Sequence, residues 1–336
     1  MKKMMKAVLA AASIASVFAF ASCNGKKESK KVTVGIVQQM NHNSLNTISD
    51  SIKGRLAELG YNDANCTILF KQGDNDMTML SQISEEFVNQ KADVVVAIAT
   101  KAANAALNAT DAGIPMVFAA CADPVGAKLL QNLEEPEGLV TGTSQSIPVD
   151  QIMEFARKIQ PNLTKIGIIH TTGETNAQAT VNKAIKYLDS IKMAYADHTI
   201  DDATVIQETI KIMKGEGCQA VFVANDNKLA THGNMAILSN ACLENGFPLY
   251  CAADSQVEDG GFANIGITYT DLGRDTADMV DKILKGTPVS KIPVKFYLKA
   301  EDLKIFVNPI VTKALGITLP TDVTSSKNFV EVTPIE

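Results

Sequence analysis

The chain has 336 residues, 46% of them hydrophobic, and a net charge of −6 that deepens to −9 once the three lysines of the first 22 residues are set aside. An acidic balance argues against nucleic acid as a partner, because phosphate recognition needs a basic face. The residues beyond that opening segment are too many for one compact core and comfortable for two.

Lys2, Lys3 and Lys6 make a basic start without an acid, and residues 7–21 form an apolar run broken only by Ser13 and Ser16. Phe20-Ala-Ser-Cys23 then closes the segment with small residues before a cysteine. A helix of about fifteen residues reaches roughly 22 Å, short of the ~30 Å hydrocarbon core, so the run reads as an export signal. Residues 1–22 are expected to be removed. The pattern resembles the bacterial lipobox, which implies that Cys23 becomes the new N-terminus and carries a fatty acyl group such as palmitate. Residues 23–31, polar and aperiodic, are expected to be a solvated tether. No later apolar run approaches 18 residues, so no other membrane span is expected. Five further cysteines (Cys66, Cys121, Cys218, Cys242, Cys251) include no C-x-x-C pair and are odd in number; they read as small core hydrophobes.

Residues 32–37 predict a strand and 44–59 a helix, with Ile48, Ile52, Leu56 and Leu59 on one face and Gly60 as its stop. A strand at 67–70, a helix at 77–88, a fully apolar strand at 94–99, an Ala-rich helix at 102–109 and strands at 115–120 and 139–144 follow. The pattern then restarts. Residues 165–169 echo 32–37, down to a glycine in mid-strand, and are followed by a helix at 177–191, a strand at 195–200 and a helix at 205–214. A buried strand at 220–223, a helix at 230–245 and a strand at 249–252 complete the second series. The two openings lie about 130 residues apart. The expected architecture is α/β, two Rossmann-like lobes with parallel sheets joined by a hinge. Residues 32–144 with 270–290 are assigned to the first lobe, and 149–265 with 305–336 to the second. Crossings are expected near 145–148, 266–270 and 306–309.

In open parallel sheets ligands bind outside the carboxyl ends of the strands. Those ends (38–43, 100–104, 121–124, 170–176, 225–228 and 253–256) are rich in Asn, Asp, Thr, Gln and Ser. The turn opening a helix at Thr100 presents backbone N–H groups suited to a carboxylate; an ordinary N-cap is the plainer alternative. Glu174 and Asp226, with Asp123 and Asp254 behind them, are acceptors able to hold an ammonium group. Any one of these acids reads more simply as a cap or turn residue, so the expectation of a zwitterionic amino acid rests on their convergence. The sequence holds no phosphate-binding glycine loop, no H-E-x-x-H and no G-x-S-x-G, and its four histidines do not have metal-ligand spacing. Neither a cofactor nor a metal is expected. With no Trp and 5% aromatic residues, the chain is poorly equipped to stack sugar rings.

These segments resemble the substrate-binding lipoproteins of ABC transporters, of the tryptophan/tyrosine-binding type, from about residue 32 to 320. The likeness is carried by VVAIATKAA (95–103), VFAACADPVG (117–126), VTGTS (140–144), GETN (173–176), NDN (225–227) and YTDLG (269–273). It implies a type I periplasmic-binding-protein-like fold that closes over an amino acid and delivers it to a membrane permease driven by a separate ATPase. It implies Thr100 and Ala102 as carboxylate contacts and Glu174, Asn176 and Asp226 as polar contacts, with Asp123, Ser144, Asp254 and Tyr269 as further candidates. The chain departs from the family pattern with His42-Asn-Ser-Leu-Asn46 after the first strand, with Ala177 after GETN, and with Lys101 where Pro is common. Two other functions are open to such a chain: a lipoprotein sensor feeding a signalling receptor, and a surface-anchored hydrolase, which would need a paired carboxylate or metal cluster.

Overall fold

The computed structural model describes residues 31–145, 147–297 and 303–333; Cys23 and the expected signal segment lie outside the described residues. The first series runs β1 (Val32–Gln38), α1 (Asn43–Glu58), β2 (Cys66–Gln72), α2 (Met77–Asn89), β3 (Val94–Ile98), α3 (Thr100–Ala105), α4 (Asn108–Asp111), β4 (Met116–Ala119) and β5 (Val140–Thr143). Its sheet is parallel throughout, in the order β2-β1-β3-β4-β5. β3 (VVVAI) is buried along its whole length, as a strand covered on both faces must be. Ile48, Ile52 and Leu56 of α1 have no exposed surface, which is the stripe their spacing predicts. The Ala-rich stretch is not one helix. It breaks after Ala105, and Asn108 at the start of α4 accepts a hydrogen bond from Ser84 Oγ of α2 at 2.5 Å.

The second series runs α5 (Val149–Ile159), β6 (Lys165–Thr171), α6 (Thr175–Ser190), β7 (Ala194–Ile200), α7 (Ile206–Gly215), β8 (Ala220–Val223), α8 (His232–Glu244), β9 (Leu249–Cys251), α9 (Asp254–Glu258) and β10 (Ala263–Gly266). Helices α5 and α9 are not among the elements expected from the sequence. The order β7-β6-β8-β9-β10 repeats that of the first sheet. The mid-strand glycines do the same work in both. A Cβ on Gly35 of β1 would stand 2.6 Å from the Phe87 ring of α2, and one on Gly167 of β6 would stand 2.6 Å from Met213 Sδ of α7. Each glycine lets a covering helix press a large side chain onto the sheet, where close packing leaves no slack.

After β10 the chain enters α10 (Tyr269–Leu284), which packs along α1. Gly273 allows the close approach, since a Cβ there would lie 2.7 Å from the Ile48 carbonyl oxygen. Lys295 then pairs beside Thr143 at the edge of the first sheet. Residues 298–302 lie outside the described residues. β11 (Lys304–Val307) already runs antiparallel to β10 in the second sheet, so the third crossing precedes residues 306–309 instead of falling there. α11 (Pro309–Ala314), α12 (Thr321–Thr324) and β12 (Phe329–Glu331), parallel to β11, finish that side. The five cysteines beyond Cys23 are buried and unpaired. Among the described residues no helix is long and apolar enough to cross a membrane.

Candidate functional site

The carboxyl ends of the two sheets face one another across a narrow cavity. The first lobe supplies His42, Ser44 and Leu45 from the β1–α1 junction, Ala99 and Ala120 from the ends of β3 and β4, and Gln145 after β5. The second supplies Asn176 of α6, Asn225, Asn227 and Ala230 after β8, and Ala253 and Gln256 around the start of α9. Tyr269, at the start of α10, completes the wall.

Two wall residues hold a backbone conformation that L side chains rarely adopt. Ala99 has φ +77° and ψ 164°, and Ala120 has φ +58°. The Ala99 conformation belongs to a region populated almost entirely by glycine and costs on the order of 1–3 kcal/mol. Such strain gathers at binding sites, and here it turns the chain sharply beneath the cavity.

The lobes touch through polar side chains. His42 Nε2 lies 3.1 Å from Asn227 Oδ1, Asn43 Nδ2 donates to Asp259 at 2.8 Å, and Ser44 Oγ meets Ser255 Oγ. Lys101 Nζ lies 2.9 Å from both Glu174 Oε1 and Asn75 Oδ1. Asn227 Nδ2 donates to Glu174 Oε2 at 2.9 Å, which turns its amide oxygen toward His42. His42 Nε2 is therefore the protonated nitrogen and Nδ1 the acceptor. Burial holds this imidazole below its ordinary value of 6.5, against the hydrogen bond to Asn227 and the nearby charge of Glu174. Among the described residues His42 Nδ1 has no partner. Neither has Asn225 Nδ2, whose Oδ1 accepts from Thr180 Oγ1 at 2.6 Å. The wall thus offers one buried acceptor and one buried donor.

Of the nine residues expected to bind a ligand, Asn176 and Tyr269 lie on this wall. Asn176 Nδ2 donates to the Asn225 carbonyl at 2.5 Å, and the Tyr269 hydroxyl accepts from Gln145 Nε2. Burial, with Asp254 beside it, pushes the Tyr269 hydroxyl well above the ordinary range. Thr100 and Asp123 line a neighbouring, open depression that shares Asn176 with the cavity. Ala102 is packed into the apolar core, and Ser144 is buried off the wall. The three acids stand behind the wall. Glu174 is spent on Lys101, Asn75 and Asn227. Asp226 accepts from Thr171 N and Oγ1, from Lys228 N at 2.9 Å and from Leu229 N at 3.1 Å. Its carboxyl is raised by burial, partly offset by those bonds. Asp254 opens α9 and accepts from its neighbour Ser255 N; burial and Glu258 push it up to about 7.

His42, Asn225, Asn227 and Gln256 lie in strand-end stretches whose polarity marks them in the sequence; His42 is visible there as a histidine following the first strand, and Asn225 and Asn227 as part of the NDN motif, whereas nothing singles out Gln256 from its neighbours. No group of His, Cys, Asp and Glu among the described residues could hold a metal ion.

The model of the ABC transporter substrate binding protein family matches residues 33–330. The tyrosine-binding protein of Clostridioides difficile (strain R20291) is 32% identical over 296 residues, 88% of this chain and 84% of that one. The crystal structure of an ABC domain in complex with L-Trp from Streptococcus pneumonia is 30% identical, with a TM-score of 0.79 over 89% of this chain and 99% of that chain. A ligand-free, open substrate binding protein with adhesive properties from Clostridium difficile is 31% identical, with a TM-score of 0.70 over 90% and 100%. The fold is that of the type I periplasmic-binding-protein-like proteins. With the family model covering nearly all of the two lobes, the chain belongs to the ABC transporter substrate-binding proteins.

Proposed function

We propose that this chain captures a single zwitterionic amino acid, aromatic or otherwise apolar, outside the cytoplasm and delivers it to a membrane permease driven by a separate ATPase. The observation that carries this reading is the pair of buried atoms of opposite sense on residues of the cavity wall, the His42 Nδ1 acceptor and the Asn225 Nδ2 donor, which have no partner among the described residues. An ammonium group needs the first and a carboxylate the second, and leaving either unmet on closure costs about 1–3 kcal/mol. Asn176 and Tyr269 remain ligand contacts in this reading. Glu174, Asp226 and Asp254 position the wall from behind, while Thr100 and Asp123 belong to the entrance. Ala102 and Ser144 support the packing around it. Ala99, Ala120, Ala230, Ala253 and Leu45 give an apolar surface for a side chain. The tyrosine- and L-Trp-binding relatives support an aromatic one.

Residues 32–144 with 270–290 and residues 149–265 with 305–336 form the two closing bodies. Binding shifts an open–closed equilibrium, and the closed state is what the permease reads. A lipid on Cys23 keeps the protein at the outer face of a membrane. A thermal-shift screen of the purified protein over amino acids, sugars, nucleosides and short peptides tests the ligand class. Stabilisation by aromatic amino acids is expected; a melting temperature raised only by sugars or nucleosides would exclude the reading.

A further inference from the structure

The cavity wall carries no formal charge. His42 is held neutral by burial, and the other side chains that line it are Asn, Gln, Ser, Tyr, Leu and Ala. The carboxylates behind it are taken by the protein, but Glu174 differs from Asp226 and Asp254 in one respect. Its counter-charge comes from the opposite lobe. Glu174 caps α6 of the second lobe, and Lys101 stands on α3 of the first, with Nζ 2.9 Å from Oε1. The Glu174 side chain is fully buried and that of Lys101 is 22% exposed. In the proposed open–closed equilibrium, parting of the lobes separates the pair and closure restores it. The charge of the closed site is therefore set at the moment of closure.

We propose that Lys101 is a specificity-determining residue. By cancelling Glu174 in the closed state it makes the site select ligands of zero net charge and reject cations, without touching the ligand. This deepens the amino-acid reading and rests on it. With the pair intact, a ligand bearing an ammonium group and no carboxylate brings an uncompensated charge into a poorly screened site. Without Lys101, Glu174 is the uncompensated charge, and the same cation balances it.

The test is calorimetric titration of the purified protein with L-tryptophan, L-tyrosine, tryptamine and tyramine, each amine matching its amino acid but for the carboxylate. In Lys101→Met the ratio of amino-acid to amine affinity is expected to fall by about tenfold or more. Lys101→Arg should keep the wild-type ratio, and Lys101→Met combined with Glu174→Gln should restore it. An unchanged ratio in Lys101→Met overturns the proposal. If that variant binds none of the four, the double variant decides: recovered preference for the amino acids supports the charge balance, and no recovery overturns it. Wild-type protein that binds no amino acid removes the site reading itself, and the inference with it. A wild-type amino-acid preference that survives in every variant removes the inference alone.

Discussion

His42 and Asn227 join the lobes by a hydrogen bond of 3.1 Å on the cavity wall, and the amide is oriented from behind by Glu174. The unprotonated Nδ1 is the feature that acid removes. In the closed protein this imidazole titrates below its ordinary 6.5, because burial outweighs Asn227 and Glu174. Whatever stability the neutral ring contributes is complete above pH 6.5 and is lost as pH falls through the folded value. Protonation also converts Nδ1 from an acceptor into a donor facing the ligand's ammonium. Affinity for an amino acid should be flat from about pH 7 to 8 and fall as pH drops below about 6.5. His42→Gln should flatten that profile. Calorimetry across pH reads both, and an acid-insensitive wild type would remove His42 from ligand binding.

Asp226 is expected to act through the backbone it ties. Its carboxylate faces only donors, from Thr171, Lys228 and Leu229. In Asp226→Asn one oxygen becomes an NH₂ aimed at those donors, and the unfolding free energy should fall by about 1–3 kcal/mol. Urea denaturation without ligand measures it. Unchanged stability with weakened binding would instead make Asp226 a direct contact.

Asp254, pushed up to about 7, is protonated more readily in the folded chain than in the unfolded one. Its contribution to stability is complete below the unfolded value near 3.8 and is lost as pH rises through about 7. Asp254→Asn keeps the shape without the charge. It should be more stable than wild type by about 1–3 kcal/mol at pH 8, the shift being discounted for partial exposure, and indistinguishable from it near pH 4. Melting curves at the two pH values check the sign. A stabilisation of equal size at both would trace the effect to something other than titration.

Cys23→Ala should abolish incorporation of labelled palmitate and move the protein from the membrane to the soluble fraction, since burial of an acyl chain is what holds such proteins at a bilayer. Unaltered membrane retention in the variant would locate the anchor elsewhere.

Most of the architecture is legible in the chain itself. The stripe Ile48, Ile52, Leu56 and the uninterrupted VVVAI each state which face is buried, and the repeated mid-strand Gly35 and Gly167 announce two copies of one unit. That one cavity forms where the strand ends face each other follows from the topology those patterns encode. Helix α5 was less visible although Ile152, Met153, Phe155 and Ala156 are buried, because it follows the first crossing where neither series supplies a template.

The site is a different matter. Apolar periodicity is local and reports burial, whereas the aim of a polar side chain depends on which donors and charges the fold brings to it from far along the chain. Glu174 and Asp226 stand at strand ends as the sequence says, yet Lys101, 73 positions away, and the Thr171 and Leu229 amides draw them off the wall. His42 reaches the wall because Asn227, 185 positions on, meets it there. The identities of the polar residues and the two-unit fold are set by the linear chain; the partition of those residues into wall and support is set by hydrogen bonding and charge pairing in the folded protein, part of it within the second lobe and part of it between the lobes.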